Sequence, residues 1–140
     1  MNNAIFFQKI KPSINMNVVD MLQKQFQESA ENLQTVQKEY SKTLADRQTL
    51  DSQLNENKQV KEELDIAMVS DNVFKLIGPV LVKQDLDEAK GNVEKRINYI
   101  SGELKRKDTQ LADLDKKQDE AREKMQEVQM QMQKLQQAPN

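Results

Sequence analysis

The chain has 140 residues, of which 36% are apolar and 31% are charged, with 21 basic side chains against 23 acidic ones. An average globular domain is about 45–50% apolar and about 25% charged, so this chain has too little apolar material for a broad spherical core. It contains no Cys, His or Trp, which excludes disulfides, the usual zinc sites and nucleophilic catalysis by a thiol or a Ser–His pair. The net charge of −2 provides no general attraction to nucleic acid or anionic lipid.

No apolar run approaches the roughly 20 residues that a membrane span requires. The sequence that begins at Met1 lacks the basic region of a secretory signal, and its apolar stretch Ile5-Phe6-Phe7 is too short for one. We therefore expect a soluble, cytoplasmic protein that works by contact, without a membrane partner.

The chain is expected to form one domain with short appendages at both ends. Residues 1–15 are predicted to be a flexible N-terminal extension, and Met16 is an alternative candidate for the start of the chain. Residues 16–136 are predicted to form the domain, and 137–140 a tail. The triplet of apolar residues in the extension could lengthen an apolar surface near Met16.

Two long helices are predicted, over about 16–66 and about 86–136. The three prolines lie near the two ends and in the middle of the chain, so both stretches avoid the residue that costs about 3 kcal/mol inside a helix. Gln, Glu, Lys, Leu and Met, which all favour helix, are abundant in both. Asp85, three residues before Glu88, is a suitable N-cap for the second helix.

Both helices carry apolar side chains at alternating spacings of three and four residues, which we call the seam. Sustained spacing of this kind predicts a coiled coil. The two seams match in antiparallel order without an insertion, with Leu22 opposite Met132 and Leu54 opposite Ile100. The sequence therefore predicts a long antiparallel coiled-coil hairpin of mainly α class; the alternative is two helices that each pair with another chain.

One row of the predicted pairing is doubly basic, with Arg47 opposite Lys107. Asp51, Glu103 and Asp108 lie within helical reach and are expected to neutralise it. We interpret this row as a layer that sets the register of the two helices, in preference to a functional site.

The segment between the helices changes to β-branched and apolar residues and predicts two short strands, 73–77 and 80–84. Gly78-Pro79 between them suits a type II′ hairpin turn, because Gly accepts the positive φ and Pro fits the next position. Both faces of this hairpin are apolar and both its edges are open, so we expect it to join an oligomeric β-barrel with strands of other subunits. The alternative is a hairpin folded back over the ends of its own helices. The residues assigned to oligomerisation are Val73, Phe74, Leu76, Ile77, Gly78, Pro79, Val80, Leu81 and Val82.

In such a helical hairpin the start of the first helix and the end of the second lie together. Five of the seven methionines fall in these two segments, and Met21 and Met130 lie off the seam, where partial exposure is expected. Met side chains are flexible and polarizable and suit promiscuous apolar binding, so these ends are expected to capture apolar polypeptide transiently. The alternative is that the methionines only fill a frayed end of the coiled coil.

Motifs of catalysis and of nucleic-acid binding are not found. There is no Gly-rich phosphate loop, and the carboxylates follow the spacing of a helix surface. The short basic runs 105–107 and 116–117 are flanked by aspartates, which is typical of a solvated helix face. We expect no enzymatic activity, no cofactor, no metal ion and no nucleic-acid partner.

A string of residues in this chain closely resembles the β-type subunits of the prefoldin family. It consists of Val73-Phe-Lys-Leu-Ile-Gly-Pro-Val-Leu-Val-Lys83, then Glu88-Ala-Lys90, Lys95-Arg-Ile-Asn-Tyr-Ile100 and Glu103-Leu-Lys-Arg106. The resemblance covers roughly residues 19–135, and the string between the helices is far more specific than the coiled-coil pattern.

The resemblance implies a hetero-hexamer of two α-type and four β-type subunits, in which hairpins build a double β-barrel and coiled coils extend from it. It further implies an ATP-independent co-chaperone that holds non-native clients such as actin and tubulin chains and delivers them to the cytosolic chaperonin. The implied partners are other prefoldin subunits, unfolded clients and the chaperonin. The alternative is a structural coiled-coil adaptor or spacer, although a spacer has no use for a strand-pairing insert.

The positions of the helix ends in this fold indicate which residues would contact clients. We call them the tip set: Met16, Val19, Met21, Leu22, Phe26, Met125, Val128, Met130, Met132 and Leu135. The tips of the family share no firm motif, so this assignment depends on the geometry of the predicted hairpin.

Overall fold

The computed structural model describes residues 16–68 and 71–137, and within them the chain forms two helices and two strands. These elements are α1 (Met16–Ile66), β1 (Val73–Ile77), β2 (Val80–Gln84) and α2 (Leu86–Gln137). The predicted fold class is confirmed, and each element begins and ends within one residue of its predicted bounds. The expected extension at 1–15, with Ile5-Phe6-Phe7, and the tail residues 138–140 lie outside the described residues.

The two strands pair in antiparallel order, from Val73 opposite Gln84 to Ile77 opposite Val80. The turn has Gly78 at a φ of 58°, in the left-handed region that is costly for residues with a Cβ atom. The predicted two-residue turn with glycine at its first position is therefore confirmed.

The start of α2 is capped by the side chain that the sequence indicated. Asp85 Oδ2 accepts a hydrogen bond from the backbone N–H of Glu88 at 3.4 Å, and the Asp85 carbonyl accepts one from Ala89 at 2.9 Å. Asp87 and Glu88 lie in the first turn, where negative charge interacts favourably with the helix dipole. These contacts fix where the strand ends and α2 begins.

The chain that connects α1 to β1 is held by two hydrogen bonds between Met68 and Asp71. The backbone N–H of Met68 donates to Asp71 Oδ2 at 2.7 Å, and the backbone N–H of Asp71 donates to the Met68 carbonyl at 2.8 Å. This reciprocal pair joins Met68 to Asp71, and β1 begins two residues later at Val73.

The described residues group into two compact units, each with a segment of both helices. The terminal unit contains residues 16–42 and 111–137. The hairpin unit contains residues 43–68 and 71–110, and so includes both strands.

The core of the terminal unit joins the start of α1 to the end of α2. Its buried side chains are Val19, Leu22, Phe26, Val128 and Met132, and the last is completely buried. These are side chains that the antiparallel register places opposite one another. The predicted pairing of the two seams is therefore confirmed in this unit.

The core of the hairpin unit follows the same register. Leu54, Ile100 and Leu104 are buried, and Leu50 and Ile97 pack against them partly buried. Leu54 and Ile100, which the predicted pairing places opposite each other, thus lie in one buried cluster. The two helices of this one chain therefore bury each other's seam residues, without the pairing with another chain that the alternative required.

The basic row in the hairpin unit is neutralised by aspartates on the facing helix. Arg47 Nε donates to Asp108 Oδ1 at 2.5 Å, and Lys107 Nζ lies 3.8 Å from Asp46 Oδ2. The hydrogen bond to Asp108, and then its charge, raise the pKa of the Arg47 guanidinium above its usual value. Arg47 therefore carries its positive charge at neutral pH.

Of the carboxylates expected to neutralise this row, Asp108 does so directly and Asp51 adds a weaker attraction to Arg47. The expectation for Glu103 was wrong, because its Oε1 lies 3.0 Å from Arg106 Nη1, three residues along the same helix. Asp46 takes that role and was missed.

Candidate functional site

The β-hairpin exposes large apolar side chains on both of its faces. Residues opposite each other in the strand register share a face. The exposed side chains are Phe74, Leu76 and Leu81 on one face, and Ile77, Val80 and Val82 on the other. Contiguous apolar surface of this kind marks an interaction site in a water-exposed protein.

The hairpin also has two open edges. Within the described residues β1 and β2 form a two-stranded sheet, so each strand has one edge without a partner strand. Such an edge offers backbone donors and acceptors to another chain, and an isolated two-stranded hairpin is only marginally stable in water. The alternative of a hairpin folded back over its own helices is not what the structure has, because these side chains remain exposed.

Two exposed apolar residues near the hairpin were missed by the sequence analysis. Ile66 is the last residue of α1 and Met68 follows it, and both are largely exposed in the hairpin unit. The available signal was that both lie beyond Leu54, which the predicted pairing places opposite Ile100 in the last row before the hairpin that is apolar on both helices.

The tip set lies entirely in the terminal unit, but its members differ in burial. Met16, Met21 and Met130 are exposed, Val19, Leu22, Phe26, Val128 and Met132 are buried, and Met125 and Leu135 are partly buried. Met21 and Met130 are 52% and 58% exposed, as their positions off the seam predicted. The exposed methionines can contact a bound polypeptide without opening the core of the unit, whereas the five buried members cannot.

Charged groups elsewhere in the described residues form a solvated helix face. In the basic run 105–107, Arg106 pairs with Glu103 and Lys107 with Asp46.

Residues 16–68 and 71–137 contain no group of three or more acidic side chains placed to hold a metal ion. None of the helices in those residues is long and apolar enough to cross a membrane.

A groove of about 420 Å³ in the hairpin unit was also missed by the sequence analysis. It is lined by Gln53, Asn57, Lys95, Arg96, Tyr99 and Ile100. The signal that could have found it is an aromatic residue placed off the seam, since Tyr99 lies between the seam positions Ile97 and Ile100.

The amino-acid sequence matches known proteins over most of its length. A family model described as "Prefoldin subunit" matches residues 21–137. The chain is 45% identical to prefoldin subunit 6 of Mus musculus over 121 residues, which are 86% of this chain and 95% of the relative. It is also 45% identical to prefoldin subunit 6 of Arabidopsis thaliana over 123 residues, which are 88% of this chain and 95% of the relative.

The fold is similar to that of a solved protein. The crystal structure of the prefoldin beta subunit from Thermococcus strain KS-1 matches with a TM-score of 0.51 and 22% sequence identity, covering 82% of this chain and 95% of that chain. These matches confirm the resemblance that the residues of the hairpin and α2 indicated.

Proposed function

Since the chain belongs to the prefoldin subunit family, we propose that it acts as a β-type subunit of a hetero-oligomeric, ATP-independent co-chaperone. The observation that carries this proposal is the β-hairpin, which exposes six large apolar side chains and two open strand edges. A subunit that worked alone would leave this surface in water at a large cost, whereas a subunit of a ring would bury it.

The assembly surface comprises the hairpin residues Val73–Val82, together with the exposed Ile66 and Met68 nearby. Other α-type and β-type prefoldin subunits would add strands to both open edges, so that the hairpins form a shared β-barrel. Backbone hydrogen bonds would supply the pairing, and the apolar side chains on the two faces would pack inside the barrel and against neighbouring subunits.

Client capture is assigned to the tip set in the terminal unit. Met16, Met21 and Met130 are exposed and would contact non-native polypeptides, such as actin and tubulin chains, before delivery to the cytosolic chaperonin. Each contact is weak because a single Met buries little area. Several subunits that hold one client at the same time would make the grip strong.

The buried members of the tip set play a different part in this proposal. Val19, Leu22 and Phe26 pack in the core of the terminal unit and would hold the two helix ends together, so that the exposed methionines stay in place. They would reach a client only if the ends of the helices separate.

The remaining expectations complete the proposal. The match over residues 21–137 supports treating 16–136 as one prefoldin-like domain, with 1–15 as an extension and 137–140 as a tail. Prefoldin subunits are chaperones, so we propose that this chain has no enzymatic activity and no cofactor, and that it works in the cytoplasm.

The test is the native mass of the full chain, alone and co-expressed with an α-type prefoldin subunit. The variant Phe74→Asp/Val82→Asp places one charge on each face of the hairpin. We expect a hexamer for the wild-type chain with its α-type partner, and loss of that mass in the variant while helical circular dichroism persists.

The matched control is Leu44→Asp/Val60→Asp, which introduces the same charges at two exposed apolar positions of α1 and should leave the hexamer intact. A mass that stays monomeric or dimeric for the wild-type chain would overturn the assembly proposal and favour a structural coiled-coil adaptor. A hexamer that survives both double substitutions would show that the hairpin is not the assembly surface.

A further inference from the structure

We infer that the groove beside Tyr99 binds an acidic peptide segment of a partner protein. The groove lies in the hairpin unit, between Gln53 and Asn57 of α1 and a turn of α2. It shares no residue with the assembly surface or with the tip set. The inference therefore stands apart from the proposed co-chaperone function.

The groove has an aromatic side chain that the core does not use. Tyr99 is 68% exposed, while the neighbouring Ile100 is buried in the core and forms the apolar floor. A tyrosine offers an apolar ring and a polar hydroxyl, and such side chains are enriched where proteins bind one another. An aliphatic side chain of a peptide could pack on the ring of Tyr99 while its backbone stays in water.

The groove also has two cations that no described residue pairs with. Lys95 and Arg96 line it, both are exposed, and neither forms an ion pair or a side-chain hydrogen bond with any described residue. Arg47, Arg106 and Arg122 all pair with a carboxylate. The two cations that line the groove with Tyr99 are therefore available to an outside ligand.

Among the residues that the structure describes, no carboxylate lines the groove, although the whole chain is slightly acidic. The remaining polar lining consists of the amides of Gln53 and Asn57, and Asn57 Nδ2 already donates to the Gln53 carbonyl at 2.7 Å. The local charge is thus positive, and a guanidinium recognises a carboxylate with two parallel hydrogen bonds. Charge complementarity points to carboxylates as the ligand groups.

A peptide fits these features better than a nucleic acid does. Binding to a phosphate backbone depends on several cations in a row, whereas this groove offers two. A peptide with two or three carboxylates and one aliphatic side chain matches both the cations and the ring of Tyr99.

The experiment measures fluorescence anisotropy of a labelled peptide made of Glu and Asp around a central Leu, titrated with the full chain. We expect saturable binding of this peptide. The same peptide with Gln and Asn in place of the acids should bind at least about tenfold more weakly. Arg96→Glu should weaken binding at least about tenfold, and Tyr99→Ala about three- to tenfold.

The matched control is Lys116→Glu, which makes the same kind of charge change at an exposed lysine of α2 in the terminal unit. It should change the affinity of the chain for the peptide less than about twofold, because salt largely screens exposed charges that lie outside the contact. Arg96→Gln is a milder second variant, and circular dichroism verifies that each variant is helical.

Three outcomes would overturn the inference. They are no binding of the acidic peptide by the wild-type chain, equal losses for Lys116→Glu and Arg96→Glu, and tighter binding of a uridine decamer than of the peptide. The assembly variant Phe74→Asp/Val82→Asp is expected to bind the peptide with unchanged affinity. A failure of the hexamer proposal would therefore remain distinguishable from a failure of this one.

Discussion

Met130 and Met132 are two residues apart on α2, yet Met130 is 58% exposed and Met132 is completely buried. Two residues on a helix differ by roughly 200° in direction, so the two side chains lie on opposite faces. The seam spacing alone distinguishes them, because only Met132 falls on the seam. The same side chain therefore packs in the core at position 132 and is accessible to a ligand at position 130.

This pair makes a direct test of the core. Met132→Ala is expected to lower the free energy of unfolding by about 2–4 kcal/mol, because it leaves a cavity in the packed terminal unit. Met130→Ala should change it by less than about 0.5 kcal/mol. Urea denaturation followed by helical circular dichroism measures both, and equal losses would contradict the burial of Met132.

The charged row shows where residue-level reasoning fails. The sequence identified Arg47 and Lys107 as facing cations and found Asp108, but it chose Glu103 where the structure uses Asp46. Periodicity places a long side chain on a face of the helix but does not say which neighbour it reaches. A carboxylate that can reach one cation on its own helix and another on the facing helix can form an ion pair with either of them.

The β-hairpin was predicted to the residue, because its signals are local. The seam spacing stops, β-branched residues appear, and Gly-Pro interrupts two runs of five residues. The exposure of its apolar side chains could not be predicted from local sequence, because a hairpin folded back over the helices would have buried the same residues. Only the packed structure distinguishes these two arrangements.

Gly78 and Gly102 provide a second test, in which the same substitution has opposite effects. An added Cβ atom meets no atom within 4 Å at either position, so any effect comes from the backbone. Gly78 has a φ of 58°, and Gly78→Ala is expected to destabilise the turn by about 1–2 kcal/mol. Hydrogen exchange of the strand amides, β1 and β2 together, should become faster.

Gly102 lies inside α2, where Ala is the better helix former. Gly102→Ala should therefore stabilise the protein by about 0.5–1 kcal/mol in urea denaturation and leave the exchange of the strand amides unchanged. If Gly78→Ala leaves that exchange unchanged as well, the turn does not depend on the left-handed conformation of Gly78.

Client binding is expected to depend on many weak contacts spread over an assembly. The variant Met21→Ser/Met130→Ser removes two exposed apolar side chains of the terminal unit. Suppressing the aggregation of denatured actin by half should take about three to ten times more of the variant assembly than of the wild-type assembly. The loss is of this size because each contact is repeated over several subunits. Light scattering measures the aggregation.

The control for this prediction is Leu44→Ser/Val60→Ser, which removes two exposed apolar side chains outside the tip set. It should suppress aggregation as well as the wild-type assembly does, and native mass should show that both variants still form the hexamer. A loss of activity of the same size in the control would refute the assignment of capture to the exposed methionines.

The order, bounds and pairing of the elements follow from the order of the amino acids, because proline placement, seam spacing and turn residues act over a few positions. Packing decided the rest. It divided the tip set into a buried core around Phe26 and a few exposed methionines, and it placed Asp46 against Lys107. It also left Lys95 and Arg96, beside Tyr99, without an ion pair to any residue that the structure describes. These features depend on which side chains of one helix occupy the space next to the other, and that depends on residues far apart in the chain.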